Sequence, residues 1–374
     1  MRFLAFLALC CLSVLAQAQT LPQAPTIAAK SWLLLDYSTG QALASYNPDD
    51  RVEPASLTKL MTAYVVLGAL KEGRLKPDQA LPVSERAWKT PGSRMFIEPK
   101  KPVTVDELLR GMIVQSGNDA CIALAEAVAG SEEAFAQMMN REAQRLGLKA
   151  TRFANATGLS DPQHYSTARD LGALAAALIR DFPEHYPLYA LREYTYNRIT
   201  QANRNRLLWL DPAVDGVKTG HTENAGYCLV ASAKRGPRRL LSVVMGAASD
   251  GMRTQESQKL LNFGFQFFDS VKLYGKDQEV SRLRVWKGAQ NTVRAGFLED
   301  FTLSLPKGMA ENLKASLVSQ QPLLAPVQKG QRIATLKLSL DDRPYGEYPV
   351  VALETVPVAG MIGRAWDAMR LWFE

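Results

Sequence analysis

Two side chains near the start of the chain suit nucleophilic chemistry. Ser56 and Lys59 are three residues apart at a predicted helix start, so they lie on one face and can touch. A serine hydroxyl becomes a good nucleophile only when a base removes its proton. Lys59 can be that base if burial and a nearby cation lower its pKa. The pair is compatible with a serine nucleophile served by a lysine, although taken alone it is more often a helix-capping serine followed by a surface lysine.

A second motif, Ser116-Gly117-Asn118, forms a polar turn between two predicted apolar helices. The hydroxyl of Ser116 can relay a proton, and the amide of Asn118 can hold a backbone group of a substrate. Taken alone, the motif is more often an ordinary interhelical turn in which Asn118 caps the second helix.

A third motif, Lys218-Thr219-Gly220 followed by His221, falls on a predicted strand. A cation beside a hydroxyl can bind a carboxylate of a substrate. Glycine lets another stretch of backbone approach the strand closely. Taken alone, the motif is more often an exposed lysine on a strand.

Other chemistries lack the residues that they need. The chain has three histidines, His164, His185 and His221, which are widely spaced and form no H-E-x-x-H zinc motif. It has no G-x-S-x-G elbow, no P-loop and no G-x-G-x-x-G loop. We therefore predict neither a metal nor a cofactor.

The elements around the motifs alternate between strands and helices. Residues 32–46 predict a β-hairpin, and a second hairpin follows the third motif. Apolar residues at helical spacing predict a helix that starts near Ser56 and ends at Gly73. Thr104 and Glu107 predict a capping box for another helix. Strands at both ends of a helical region predict an α/β catalytic domain whose ends share one sheet.

The N-terminus has the pattern of a secretory signal peptide. Arg2 precedes an apolar run that ends in a small-x-small cleavage site at Ala18, so residues 1–18 are predicted to be removed on export. Two of the four cysteines lie in this segment. The other two, Cys121 and Cys228, are predicted to be buried free thiols, although export would allow a bond between them.

The remaining chain divides by pattern. Residues 19–270 are predicted to form the catalytic domain, and the strand-only pattern of residues 271–356 predicts a small all-β, sandwich-like domain. Residues 357–374 predict an amphipathic helix that lies on a membrane surface, or alternatively docks on the β domain. The apolar and charged faces of this helix are Ile362, Trp366, Met369 and Phe373 against Arg364, Asp367, Arg370 and Glu374.

Composition narrows the class of protein. Hydrophobic residues make up 47% of the 374 residues and charged residues 22%, which favours folded domains over disorder. The net charge of +7 suits a protein that acts on anionic substrates or at anionic lipids. Because no basic block or aromatic-interleaved basic stripe occurs, we predict no nucleic-acid partner.

The motif set, in this order, resembles that of penicillin-binding proteins and class A β-lactamases. The longer matches, residues 54–62, 115–121, 203–205 and 215–222, resemble the low-molecular-mass penicillin-binding proteins of the D-alanyl-D-alanine carboxypeptidase family, the penicillin-binding protein 5 and 6 type. Two residues depart from that family pattern. Arg206 stands where glycine is frequent, and Cys228 replaces a common asparagine.

The resemblance implies a penicillin-recognising serine transpeptidase/β-lactamase-like fold and an exported enzyme at the periplasmic face of the inner membrane. It implies that Ser56 forms the acyl-ester, Lys59 is its base and Ser116 relays protons. It also implies that Asn118 holds the substrate amide, that Lys218 and Thr219 bind the terminal carboxylate, and that the backbone N–H groups of Ser56 and His221 form the oxyanion hole.

The implied substrate is a peptidoglycan stem peptide ending in D-alanyl-D-alanine, with β-lactams as covalent inhibitors and a role in cell wall biogenesis and cell shape. Three other functions could use a similar set of motifs. A class A β-lactamase needs a deacylating glutamate, and residues 155–170 contain none. A non-catalytic scaffold would usually have lost a motif residue. Endopeptidase activity would use the same site, so the sequence leaves it open.

Overall fold

The structure is a computed structural model that describes residues 22–361, 367 and 370. The predicted signal peptide, and residues 362–374 apart from Asp367 and Arg370, lie outside the described residues. The helices in the described part are α1 Lys59–Lys71, α2 Glu85–Lys89, α3 Val105–Val114, α4 Asn118–Ala129, α5 Glu132–Arg145, α6 Ala168–Asp181, α7 Leu207–Leu210 and α8 Asp250–Phe267. The strands there are β1 Ser31–Asp36, β2 Ala42–Tyr46, β3 Ala80–Leu81, β4 Val103–Thr104, β5 Glu193–Tyr196, β6 Ile199–Ala202, β7 Val214–Thr222, β8 Gly226–Arg235, β9 Arg238–Ala247, β10 Phe268–Tyr274, β11 Glu279–Arg284, β12 Thr292–Gly296, β13 Phe301–Pro306, β14 Leu313–Ser319, β15 Arg332–Leu340 and β16 Arg343–Ala352.

The catalytic domain is built on an antiparallel sheet of order β2-β1-β9-β8-β7. Successive side chains of a strand point to opposite faces. Leu241 and Val243 of β9 therefore join the core on the α6 side, while Leu240 and Val244 join the core beneath α8. Since β1 pairs with β9, both ends of the domain share one sheet, as the sequence predicted.

The helical region keeps most of the predicted boundaries. Thr104 and Glu107 form the capping box of α3, and Gly73 adopts the left-handed conformation just beyond the C-cap of α1. The predicted start of the first helix was wrong in detail. Ser56 lies in a 3-10 turn over Ala55–Thr58, and α1 begins at Lys59. Ala55 has φ +47°, so the right-handed helix cannot extend back through it.

The C-terminal part of the described chain is all β, as predicted. Strand β10 begins directly after α8, and β10 and β13 form a two-stranded sheet. A five-stranded sheet of order β11-β12-β16-β15-β14 shares its core with that pair. Leu303 and Leu305 of β13 pack in this core with Val293, Ile333 and Val350 of the larger sheet. The result is the predicted sandwich-like domain.

Two further sequence predictions concern thiols and the C-terminal segment. Cys121 and Cys228 are both buried and free, as predicted, and burial raises the pKa of each thiol to about 11. The carboxylate of Asp367 accepts a hydrogen bond from the backbone N–H of Lys287 at 2.6 Å, which ties it to the β domain. Across the residues that the structure describes, no helix has both the length and the apolarity to span a membrane.

Candidate active site

The first motif places its serine against its lysine. Lys59 Nζ lies 2.9 Å from Ser56 Oγ, 2.7 Å from Asn118 Oδ1 and 2.6 Å from the carbonyl oxygen of Thr157. Lys59 is 1% exposed, and Ser56 is half-buried. The amine is thus held at three points, and Ser56 alone of these partners has a proton to give.

Burial shifts the protonation equilibrium of this amine toward its neutral form. It lowers the pKa of Lys59 because a charged ammonium loses its hydration there, and the positive charge of Arg204 lowers the pKa further. The charge of Asp119 acts in the opposite direction. A neutral amine can donate to the two carbonyl-type oxygens and accept from the Ser56 hydroxyl. The geometry therefore suits Lys59 as a base for Ser56.

A second serine–lysine pair lies beside the first. Lys218 Nζ donates to Ser116 Oγ at 3.0 Å and to the carbonyl oxygen of Thr219 at 3.1 Å. Burial holds the pKa of Lys218 well below its ordinary value, and the charges of Lys59 and Arg204 act in the same direction. Ser116 has φ +65°, an uncommon conformation for a residue with a side chain, which aims its hydroxyl at this lysine.

The third motif lies on an edge strand. Strand β7 ends the sheet, and it passes close to the Ser56 turn at Gly220. A Cβ atom at Gly220 would lie 3.0 Å from the Pro54 carbonyl oxygen and 3.2 Å from the Ser56 backbone nitrogen. Glycine is needed here because the two backbones approach so closely, as the sequence predicted. His221 follows at the exposed end of the strand.

Asn118 and Asp119 hold a loop over the first motif. The side-chain amide of Asn118 donates to the carbonyl oxygen of Pro91 at 2.7 Å. The Asp119 carboxylate, which is fully buried, accepts backbone N–H groups of Met95 at 2.9 Å, Phe96 at 2.9 Å and Ile97 at 3.2 Å. These bonds satisfy a charge that would otherwise be costly to bury. They fix the loop and, through Asn118, the Lys59 amine.

A cavity of about 440 Å³ opens above these groups. Its walls include Ser56, Ser116, Thr219, Gly220 and His221 from the three motifs. The rest of the lining consists of Ser93, Ala202, Asn203, Arg204, Arg206, Tyr227, Asp250 and Arg253. A slightly larger cleft of about 520 Å³ contains none of the motif residues, so the smaller one is the candidate site.

The predicted site residues converge, but not all of them face the cavity. Asn118 and Lys218 are buried behind it and are fully engaged with Lys59, Pro91 and Ser116. Direct contact of either residue with a substrate stays a prediction. Sequence reasoning missed the carbonyl oxygen of Thr157, because a backbone group leaves no signal in residue type.

Sequence reasoning also missed a charged wall of the cavity, formed by Arg204, Arg206, Asp250 and Arg253. The match to residues 203–205 marked part of this wall, but it assigned the wall no role.

His164 has a structural environment. It is 3% exposed, its Nε2 lies 2.8 Å from Thr58 Oγ1, and its Nδ1 accepts the backbone N–H of Ala154 at 3.3 Å. Burial lowers the pKa of this histidine to about 4, so the ring is neutral at physiological pH. Within residues 22–361 and the two further described positions, no group of three His, Cys, Asp or Glu side chains could hold a metal ion.

Two serine–lysine pairs and a strand edge around one cavity are the arrangement expected of an enzyme whose active-site serine is acylated by its substrate. The comparisons with known proteins agree. The D-alanyl-D-alanine carboxypeptidase family matches residues 18–249, and the C-terminal domain of penicillin-binding protein 5 matches residues 268–358. The chain belongs to the D-alanyl-D-alanine carboxypeptidase family, which confirms the resemblance seen in the sequence.

Individual relatives match between 65% and 99% of the chain. D-alanyl-D-alanine carboxypeptidase DacC of Escherichia coli strain K12 is 45% identical over 377 residues, covering 99% of this chain and 94% of that protein. The crystal structure of penicillin-binding protein 5 from Haemophilus influenzae matches with a TM-score of 0.85 at 42% identity, over 90% of this chain and 99% of that one. A Listeria monocytogenes penicillin-binding protein in its ampicillin-bound form matches with a TM-score of 0.60 at 31% identity, over 65% of this chain and all of that one.

Proposed function

We propose that this enzyme removes the terminal D-alanine from peptidoglycan stem pentapeptides through an acyl-enzyme at Ser56, and that β-lactams acylate the same serine. The 2.9 Å contact between Ser56 Oγ and the buried Lys59 amine carries the proposal. The carboxypeptidase relatives supply the substrate class. The ampicillin-bound relative supports the inhibitor class.

Acylation begins when Lys59 takes the proton of Ser56 and Ser56 Oγ attacks the carbonyl carbon of the penultimate D-alanine. The negative charge on the carbonyl oxygen is met by the backbone N–H groups of Ser56 and His221. The close approach of β7 to the Ser56 turn at Gly220 supports this assignment. Thr219, which lines the cavity, receives the terminal carboxylate, with Lys218 directly behind it.

The leaving amine needs a proton, and a path is available. Ser116 lines the cavity and contacts Lys218, so its hydroxyl can pass a proton to the amine of the departing D-alanine. Ser116 regains a proton from the Lys59 ammonium, which leaves Lys59 neutral again. Water then attacks the ester carbonyl and gives a proton to Lys59, and Lys59 passes that proton to Ser56 Oγ as the ester bond breaks and the shortened peptide leaves. Lys59, Ser116 and Ser56 thus return to their starting protonation states.

The proposal predicts two linked outcomes for a soluble peptide ending in D-alanyl-D-alanine and for a fluorescent penicillin. We expect release of one D-alanine per peptide and a long-lived covalent penicillin adduct, measured by amino-acid analysis and by gel fluorescence. Rapid turnover of the penicillin would indicate a β-lactamase, and the absence of any adduct would indicate a scaffold. Cleavage of cross-linked dimers faster than of the pentapeptide would indicate an endopeptidase.

We further propose that the protein is exported and is peripheral to the periplasmic face of the inner membrane, attached by residues 357–374. The amphipathic pattern of that segment supports this placement. Asp367, which belongs to the predicted charged face, contacts the β domain through Lys287. If the charged face rests on protein, the apolar face is the one left for lipid.

Deleting residues 358–374 should release the protein into the soluble periplasmic fraction without changing hydrolysis of a soluble peptide. Each buried large apolar side chain contributes at most about 1.5–3 kcal/mol to membrane binding, so losing several of them abolishes attachment. Fractionation followed by an activity assay measures both effects.

Matched full-length variants sharpen that test. Trp366→Asp with Phe373→Asp should release the protein, whereas Arg364→Ala with Glu374→Ala should leave it attached. Sedimentation of the truncated chain with membranes, or loss of peptide hydrolysis by a folded truncated chain, would favour the docked-helix alternative.

A further inference from the structure

The cavity wall near Gly220 carries a row of linked charges. Arg206 Nε lies 2.6 Å from one oxygen of Asp250, and Arg253 Nη2 lies 2.5 Å from the other. Arg253 also donates from Nη1 to the carbonyl oxygen of Gly220 at 3.0 Å. The row therefore joins a residue at the mouth of the cavity to the strand that carries the third motif.

The members of this row differ in exposure. The Arg206 side chain is 65% exposed, Asp250 is 28% exposed and Arg253 is 5% exposed. Exposed ion pairs add little to the stability of a fold, so stability does not explain the contact between Arg206 and Asp250. A carboxylate in the first turn of α8 is favourable for that helix. The same carboxylate would repel the anionic C-terminus of a peptide that binds in this cavity.

The repulsion would act between the Asp250 carboxylate and the carboxylate of the substrate. The substrate carboxylate is proposed to sit at Thr219, and both Thr219 and Asp250 line the same cavity. Two like charges in a partly desolvated cavity repel each other more strongly than in water. Arg253 pairs with one oxygen of Asp250 and also donates to the Gly220 and Cys228 backbone oxygens, while Arg206 pairs with the other oxygen of Asp250.

We propose that Arg206 is a specificity-determining residue that neutralises Asp250 and so keeps this end of the cavity attractive to a free C-terminal carboxylate. The inference rests on the proposed carboxypeptidase function. Arg206 acts here through Asp250 and not by touching the substrate.

A double-mutant cycle on the full-length enzyme tests the inference. Arg206→Gly should raise KM for a peptide ending in D-alanyl-D-alanine by about fivefold, with kcat within about twofold, as for loss of one partly exposed charge contact. In the Asp250→Asn background the same change should alter KM by less than about 1.5-fold, because no charge is left to neutralise. The asparagine oxygen still accepts from Arg253, which keeps that residue in place.

Two further measurements separate charge from shape. Arg206→Lys should keep KM near that of the parent, and the effect of Arg206→Gly should vanish in about 1 M salt, where the screening length is near 3 Å. Thermal unfolding of all variants should match the parent.

An equal rise in KM in both backgrounds, or no rise in either, would overturn the inference. Failure of the proposed function would look different, since the parent itself would then release no D-alanine.

Discussion

Ser56→Ala is expected to abolish D-alanine release and penicillin labelling together. The variant loses Ser56 Oγ, the atom proposed to form the ester, and the neighbouring Lys59 amine cannot replace it while it remains held by Asn118 and Thr157. We expect kcat/KM for the peptide to fall by at least about 10⁴-fold, as for loss of a nucleophile elsewhere. The fold should remain, since Lys59 keeps two of its three partners.

Ser45→Ala is the matched control for that variant. Ser45 is exposed on β2, at the opposite edge of the sheet from β7, so its removal should change neither activity nor labelling. Peptide hydrolysis, gel fluorescence and thermal unfolding measure the three properties. Penicillin bound covalently to any residue of the Ser56→Ala protein would refute the assignment of Ser56 as the nucleophile.

Lys59→Arg should be nearly as damaging, although arginine is also a long basic side chain. A base must give up its proton first, and a guanidinium does not do so at working pH. We expect kcat/KM and the rate of penicillin labelling to fall by about 10²–10⁴-fold, the usual contribution of a general base. Lys71→Arg, at the exposed end of the same helix, is the control and should behave like the parent.

The pH profile gives an independent check on Lys59. Its burial lowers its pKa, so the neutral form should become populated below the ordinary lysine value of 10.5. Since the neutral form is the active one, kcat/KM of the parent should rise with pH through that lowered pKa. A profile without this rise, or a Lys59→Arg variant within about tenfold of the parent (about 1.4 kcal/mol of barrier), would argue against Lys59 as the base.

Local spacing was enough to predict some contacts and not others. Ser56 and Lys59 are three residues apart, so a turn or a helix would bring them together even though the local structure differs from the predicted one. Contact between Ser116 and Lys218 spans 102 residues and could be expected only from the family resemblance. The pattern of strands around helices predicted the shared sheet because it is a property of the whole chain order.

The sequence did not predict the hydrogen-bond and ion-pair partners of the charged groups. Asp119 follows the second motif directly, but its bonds to the backbone of Met95 and Phe96 depend on how a distant loop folds back. The ion pair between Arg206 and Asp250 similarly joins two charged residues from separate elements, and nothing in the sequence marks them as partners. Such contacts depend on side-chain direction in the finished fold, for which a single sequence gives no periodic signal.

The Lys59 amine is held by partners that lie far away along the chain, 59 residues for Asn118 and 98 for Thr157. No fragment of the catalytic domain that lacks either stretch can assemble this arrangement, and partial opening of either contact frees the amine. Covalent capture of penicillin thus counts correctly folded molecules rather than total protein. The fraction of a preparation that labels can serve as a conformational yield, a direct readout for refolding trials or for ranking destabilised variants.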